Sequence, residues 1–285
     1  MSGFSPEWLG LREPVDHRSR ADDVAEKVRA AFAGSTQVVV VDLGCGTGSN
    51  LRATSELLPQ RQSWTLVDYD PHLLSAARET LGRWADRAAT DGERIILEKG
   101  TRRLDVMFRQ VDLNQDLDAA LGSKAGPICD LVTASAFFDL CSREFMQRIA
   151  RAVTQRRAHF YTVLTYNGAQ SWAPGHPADD EMTAAFHHHQ RSDKGFGSAA
   201  GPDSAIALAN AFRAAGYRVQ EGDSPWILGP SEQRLVDDLA QGFAGAVEET
   251  GSVPHATISA WCDVRRSGAR VGHTDTFAEP ARVQD

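Results

Sequence analysis

Residues 37–48 read QVVVVDLGCGTG. Val38 to Val41 and Leu43 make an apolar run rich in β-branched residues. Such a run fits a parallel strand buried on both faces. Gly44, Gly46 and Gly48 then alternate with Cys45 and Thr47. Removing every second Cβ lets the backbone turn tightly and come close to a ligand. A glycine loop of this kind, leaving a buried strand and entering a helix, faces the crevice at the carboxyl edge of an α/β sheet.

Outward from this stretch the pattern repeats. Asn50 to Leu58 reads as a helix stopped by Pro59, and residues 64–67 (WTLV) as a second strand ending in Asp68. Pro71 suits a helix start, and His72 to Trp84 continues it. Further strands are expected near residues 105–111, 129–134 and 158–166, with Ser142 capping a helix from about Arg143 to Val153. Upstream, Val24, Val28 and Phe32 share one helical face, and Gly34 ends that helix. Alternation of strands and helices indicates a doubly wound α/β sheet with helices on both faces.

Residues 167–202 interrupt the alternation with Trp172, three prolines, four histidines and five glycines. They read as a cap inserted after the fifth strand. A helix from Asp203 to Ala215 follows, then a sixth strand over 217–228, a helix over 231–249 and a last strand over 269–278. The chain divides into an N-terminal arm and helix (1–34), placed to act as a lid, and a main domain (35–285) that carries the cap.

The spacing of the glycines narrows the ligand. Dinucleotide enzymes use GxGxxG beside a pyrophosphate; here the spacing is GxGxG, with Asp42 two residues before the first glycine. An acid there repels a pyrophosphate and suits a cationic amino group. Asp68, at the end of the second strand, can accept both hydroxyl protons of a ribose, and Tyr69 beside it can pack on a base.

With DLGCGTG at 42–48, LVDYDP at 66–71, VDLN at 111–114 and CDLVTASAFFD at 129–139, the chain resembles the class I, Rossmann-like S-adenosylmethionine-dependent methyltransferases. The resemblance covers roughly residues 36–166 well. It implies a seven-stranded sheet whose last strand is antiparallel, and S-adenosyl-L-methionine as cofactor. It also implies that Gly44, Cys45, Gly46 and Gly48 line the methionine part and that Asp68, rather than its rival Asp70, holds the ribose. Asp112, with Leu113, would meet the adenine amino group, and Ser135 would sit beside the sulfonium.

The acceptor is read from the variable segments. His188 or His189 is the expected general base, oriented by Asp193 or Asp139, because imidazoles exchange protons near neutral pH. Asp139, Tyr166, Trp172, Lys194 and Phe196 are expected substrate contacts, together with Arg12 from the arm, which could pair with an anion. Adjacent histidines cannot all face one ion, so no metal is expected.

The formal charge is -8, and the arginine pairs 102–103 and 265–266 are short and isolated, which argues against a nucleic-acid partner. Cys45, Cys129, Cys141 and Cys262 form no CxxC pair. No stretch approaches the roughly 20 apolar residues of a membrane span, and the first residues lack a signal-peptide run, so a cytoplasmic enzyme is expected. Its partner is read as a small molecule methylated at oxygen or nitrogen. A protein acceptor is the first alternative and a dinucleotide-dependent oxidoreductase the second. The acceptor's identity and the oligomeric state stay open.

Overall fold

The computed structural model describes residues 4–122 and 129–281. The chain enters through helices α1 (Pro6–Arg18) and α2 (Asp22–Phe32). Strand β1 (Gln37–Leu43) follows, then α3 (Ser49–Thr54), β2 (Arg61–Asp68) and α4 (Pro71–Trp84). In β1, Val38 and Val40 pack into one core with Trp64 and Leu66, while Val41 and Leu43 pack into another with Val67 and Val132. A core on each side of one strand is what the apolar run required.

A hairpin, β3 (Arg87–Asp91) and β4 (Arg94–Lys99), precedes β5 (Arg102–Gln110) and α5 (Leu117–Leu121). Then come β6 (Leu131–Ser135), α6 (Arg143–Gln155), β7 (His159–Ala173), α7 (Asp179–Gln190) and α8 (Ser204–Ala214). The chain closes with β8 (Tyr217–Asp223), β9 (Trp226–Leu228), α9 (Gln233–Thr250), α10 (His255–Cys262) and β10 (Gly268–Pro280). Ser142 caps α6 as expected, its Oγ accepting the Phe145 amide at 3.1 Å.

Among the described residues the sheet has ten strands, not seven. The expected seven run side by side in the order β5-β2-β1-β6-β7-β10-β8, and β10 runs antiparallel to both β7 and β8. Three strands are added. Hairpin β3–β4 extends the β5 edge, turned by Gly92 at φ 60°; the Gly92-Glu93 pair, a two-residue turn that opens on glycine, was its sequence signal. Strand β9 pairs with the start of β10, where a single sixth strand over 217–228 was expected. Helices α2 and α4 cover one face, and α5, α6 and α8 the other.

Beyond the fifth strand the cap differs from its expected outline. β7 continues to Ala173, and β10 pairs with it over that extension. The extension carries α7, and α9 and α10 pack there too, so the segments at about 167–202 and 224–268 form one packed unit. Trp172 lies 5.5 Å from Phe243 and 5.2 Å from Trp261, and Phe186 lies 4.6 Å from Phe243. Trp172 is therefore buried among these aromatic rings and lies outside the lining of the cavity described below. Pairing between segments about 100 residues apart leaves no local signature in sequence.

Candidate functional site

A cavity of about 510 Å³ opens at the carboxyl ends of β1, β2 and β6. One wall is the glycine loop. Gly44, Gly46 and Gly48 have φ of 61°, 52° and 76°, in the left-handed region that side chains disfavour. A Cβ on Gly44 would stand 2.8 Å from the Phe137 ring. The Cys45 amide donates to the Val67 carbonyl at 3.0 Å, joining the loop to β2.

Asp68 fastens the same loop. Its Oδ2 accepts the Gly46 amide at 2.9 Å and its Oδ1 the Asp70 amide at 3.0 Å. Burial raises its pKa, against the lowering effect of these amides. Tyr69 lines the cavity and is 51% exposed. Asp70 also lines it, but its side chain caps α4 by accepting the His72 amide at 2.8 Å.

Asp42 does not line the cavity. It is fully buried and accepts Asn50 Nδ2 at 2.7 Å, while its Oδ2 has no partner among the described residues. Burial pushes its carboxyl up to about 7. Asn50 does line the cavity, so any effect of Asp42 on a ligand passes through that amide. Arg20 holds the other end of Asn50, donating to its Oδ1 at 2.9 Å.

On the next strands, Ser135 lines the cavity beside Ala136, Phe137 and Leu140. Asp112 and Leu113 lie outside the lining. Asp112 closes its own turn, accepting the Asn114 amide at 2.9 Å and Gln115 Nε2 at 2.8 Å. Leu113 is buried in the core on the α5 and α6 side.

The N-terminal arm is a helix, and it forms the opposite wall. Ser5 Oγ accepts the Trp8 amide, starting α1 at Pro6. Leu9, Arg12 and Asp16 reach the cavity, a spacing of three and four that could have been read as one helical face. Arg12 makes a two-pronged contact with Asp16 at 2.9 and 3.3 Å and lies 5.0 Å above the Trp226 ring. Glu13 pairs with the buried Arg52 at 2.7 Å, and His17 Nε2 meets Ser49 Oγ at 3.0 Å. The helix is thereby pinned across the glycine loop.

The expected acceptor residues are dispersed. Lys194 lines the cavity. Asp193 is exposed and folds its own loop, its Oδ1 accepting the amides of Gly195 at 2.7 Å and Gly197 at 3.0 Å. Phe196 packs 4.7 Å from Phe145 and 5.5 Å from Phe137. His188 is exposed on α7, and His189 pairs with Glu249 at 2.9 Å; neither lines the cavity. The inward histidine is His187, whose Nε2 lies 3.0 Å from the Tyr166 hydroxyl. Tyr166 is 5% exposed and lies outside the lining, as does Asp139. Burial raises the pKa of Asp139 and of Tyr166, and lowers that of His187.

Among the described residues no group of histidine, cysteine, aspartate or glutamate is arranged to hold a metal, and no helix is long and apolar enough to cross a membrane. No protein-family model and no curated protein matches the chain. Solved structures do. A Bacillus halodurans C-125 protein, provisionally assigned as a methyltransferase, gives a TM-score of 0.50 at 14% identity over 91% of this chain and all of its own. The YcgJ protein from Bacillus subtilis gives 0.52 at 14% identity over 92% of this chain and all of its own. The likeness is one of fold, and the fold is the class I, Rossmann-like methyltransferase fold.

Proposed function

We propose that the chain is an S-adenosylmethionine-dependent methyltransferase acting on a small-molecule acceptor at oxygen or nitrogen. The carrying observation is the glycine loop fastened to Asp68 at the edge of a cavity walled by α1. The cofactor fits this chemistry: a cradle without Cβ atoms for the methionine part, and a carboxylate at the second strand for the ribose. A volume of about 510 Å³ lies in the range of small-ligand sites. When bound, the cofactor supplies a methyl group already activated by its sulfonium.

The protein's share is to bind, align and exclude water. Leu9, Phe137 and Leu140 supply apolar wall, Asn50 and Ser135 polar anchors, and α1 closes the side over the loop. The same helix weighs against a dinucleotide. Leu9 stands where a Cβ on Gly46 would come within 3.1 Å of it, and His17 covers Ser49 at the start of α3. A pyrophosphate needs that helix start open. The walls made by α1 and the Lys194 loop favour a compact acceptor over a protein segment, which needs an open groove.

The acceptor class is tested with methyl-labelled S-adenosylmethionine and a cell extract split into metabolites and macromolecules. Label should appear in the metabolite fraction. Label confined to protein or nucleic acid would overturn the small-molecule assignment.

A further inference from the structure

Two cations line the cavity, Arg12 and Lys194, and their charges are met differently. Arg12 is answered by Asp16 through two hydrogen bonds. Lys194 has no carboxylate within ion-pair distance among the described residues; its Nζ lies 3.4 Å from His189 Nε2. That same nitrogen lies 2.9 Å from Glu249 Oε2. One imidazole nitrogen carries either a proton or a lone pair. With the proton it donates to Glu249 and offers Lys194 nothing. With the lone pair it would turn electron density onto a carboxylate. The shorter contact decides, and the Lys194 ammonium is left without an acceptor.

The loop that carries it is nevertheless braced. Asp193 Oδ1 ties together the amides of Gly195 and Gly197, Asn114 Nδ2 donates to the Gly195 carbonyl at 3.0 Å, and Phe196 is seated against Phe145. A cation carried on a braced loop at the cavity wall, without an ion-pair partner of its own, is available to an anion. The anion carries one charge. Lys194 is a single point donor, and Asp16, Asp68 and Asp70 share the cavity, so a phosphate dianion would meet more repulsion than attraction.

Resting on the methyl-transfer reading, we infer that the acceptor is a small carboxylic acid. Its carboxylate is held by Lys194, and its apolar body lies against Phe137 and Leu140. The cofactor's own methionine carboxylate has the same chemistry, and the test separates the two.

S-Adenosylhomocysteine is titrated into wild type, Lys194→Gln and Lys194→Arg. The loaded proteins are then titrated with benzoate, phenylacetate and hexanoate, and with neutral benzamide. S-Adenosylhomocysteine should bind all three proteins within about twofold, well inside the roughly tenfold that one charged hydrogen bond is worth. At least one carboxylate should bind loaded wild type, lose about tenfold or more in Lys194→Gln, and recover in Lys194→Arg. Benzamide should not distinguish the variants. A tenfold loss of S-adenosylhomocysteine affinity in Lys194→Gln would give Lys194 to the methionine carboxylate and overturn the inference. So would a loaded wild type that binds none of the acids, or binds them as well without Lys194. A folded wild type blind to S-adenosylhomocysteine removes the methyl-transfer reading itself, a result distinct from these.

Discussion

Asp42 is the acid that the glycine-loop spacing singled out, and its chemistry is that of a buried group. Its ordinary pKa of 3.8 is raised to about 7 by burial. Between about pH 4 and pH 7 the folded protein keeps a proton that the unfolded chain has released. Stability therefore falls as pH rises across that window. Asp42→Asn keeps an oxygen for Asn50 Nδ2 and removes the titration. The melting temperature of the variant minus that of wild type should grow from pH 4 to pH 7; a constant difference would contradict a raised Asp42. At Gly46 the sign is steric. A valine at φ 52°, facing Leu9, combines a left-handed cost of about 1–2 kcal/mol with displacement of α1. Gly46→Val should abolish S-adenosylhomocysteine binding in calorimetry, and near-native affinity would place the ligand elsewhere.

At the scale of elements, legibility followed the range of the interactions. The run Val38–Leu43, the acid at position 68 and the Ser142 cap are local patterns, and each sits where its pattern put it. The three histidines could not be ranked. Successive helical residues point about 100° apart, and only the docking of α7 selects His187 to face Tyr166. Helix α1 was hidden because Pro14 and many charges break its apolar stripe; its Leu9, Arg12 and Asp16 make sense only against the glycine loop. The burial of Trp172 was hidden because β7 runs past its expected end to meet β10. Buried with Phe243 and Trp261, it is a packing residue, so Trp172→Ala should cost about 3–5 kcal/mol. Denaturant melts should show that loss with S-adenosylhomocysteine affinity nearly unchanged. A stable variant impaired only in acceptor KM would return Trp172 to the substrate.

For the whole molecule, the sheet order places β1 between β2 and β6, with the chain turning outward in both directions from it. Ligands of open α/β sheets bind at such a reversal, and the cavity lies there. Asp68 joins both halves of the account, since it fastens Gly46 and is the carboxylate to which the proposed function gives the ribose. The most direct measurement is calorimetry of S-adenosylhomocysteine and of NAD with wild type and Asp68→Ala. S-Adenosylhomocysteine should bind wild type, NAD should not, and Asp68→Ala should lose about 1.5–3 kcal/mol of binding while keeping its fold by circular dichroism. Binding of NAD in preference to S-adenosylhomocysteine, or an Asp68→Ala affinity equal to wild type, would contradict the account.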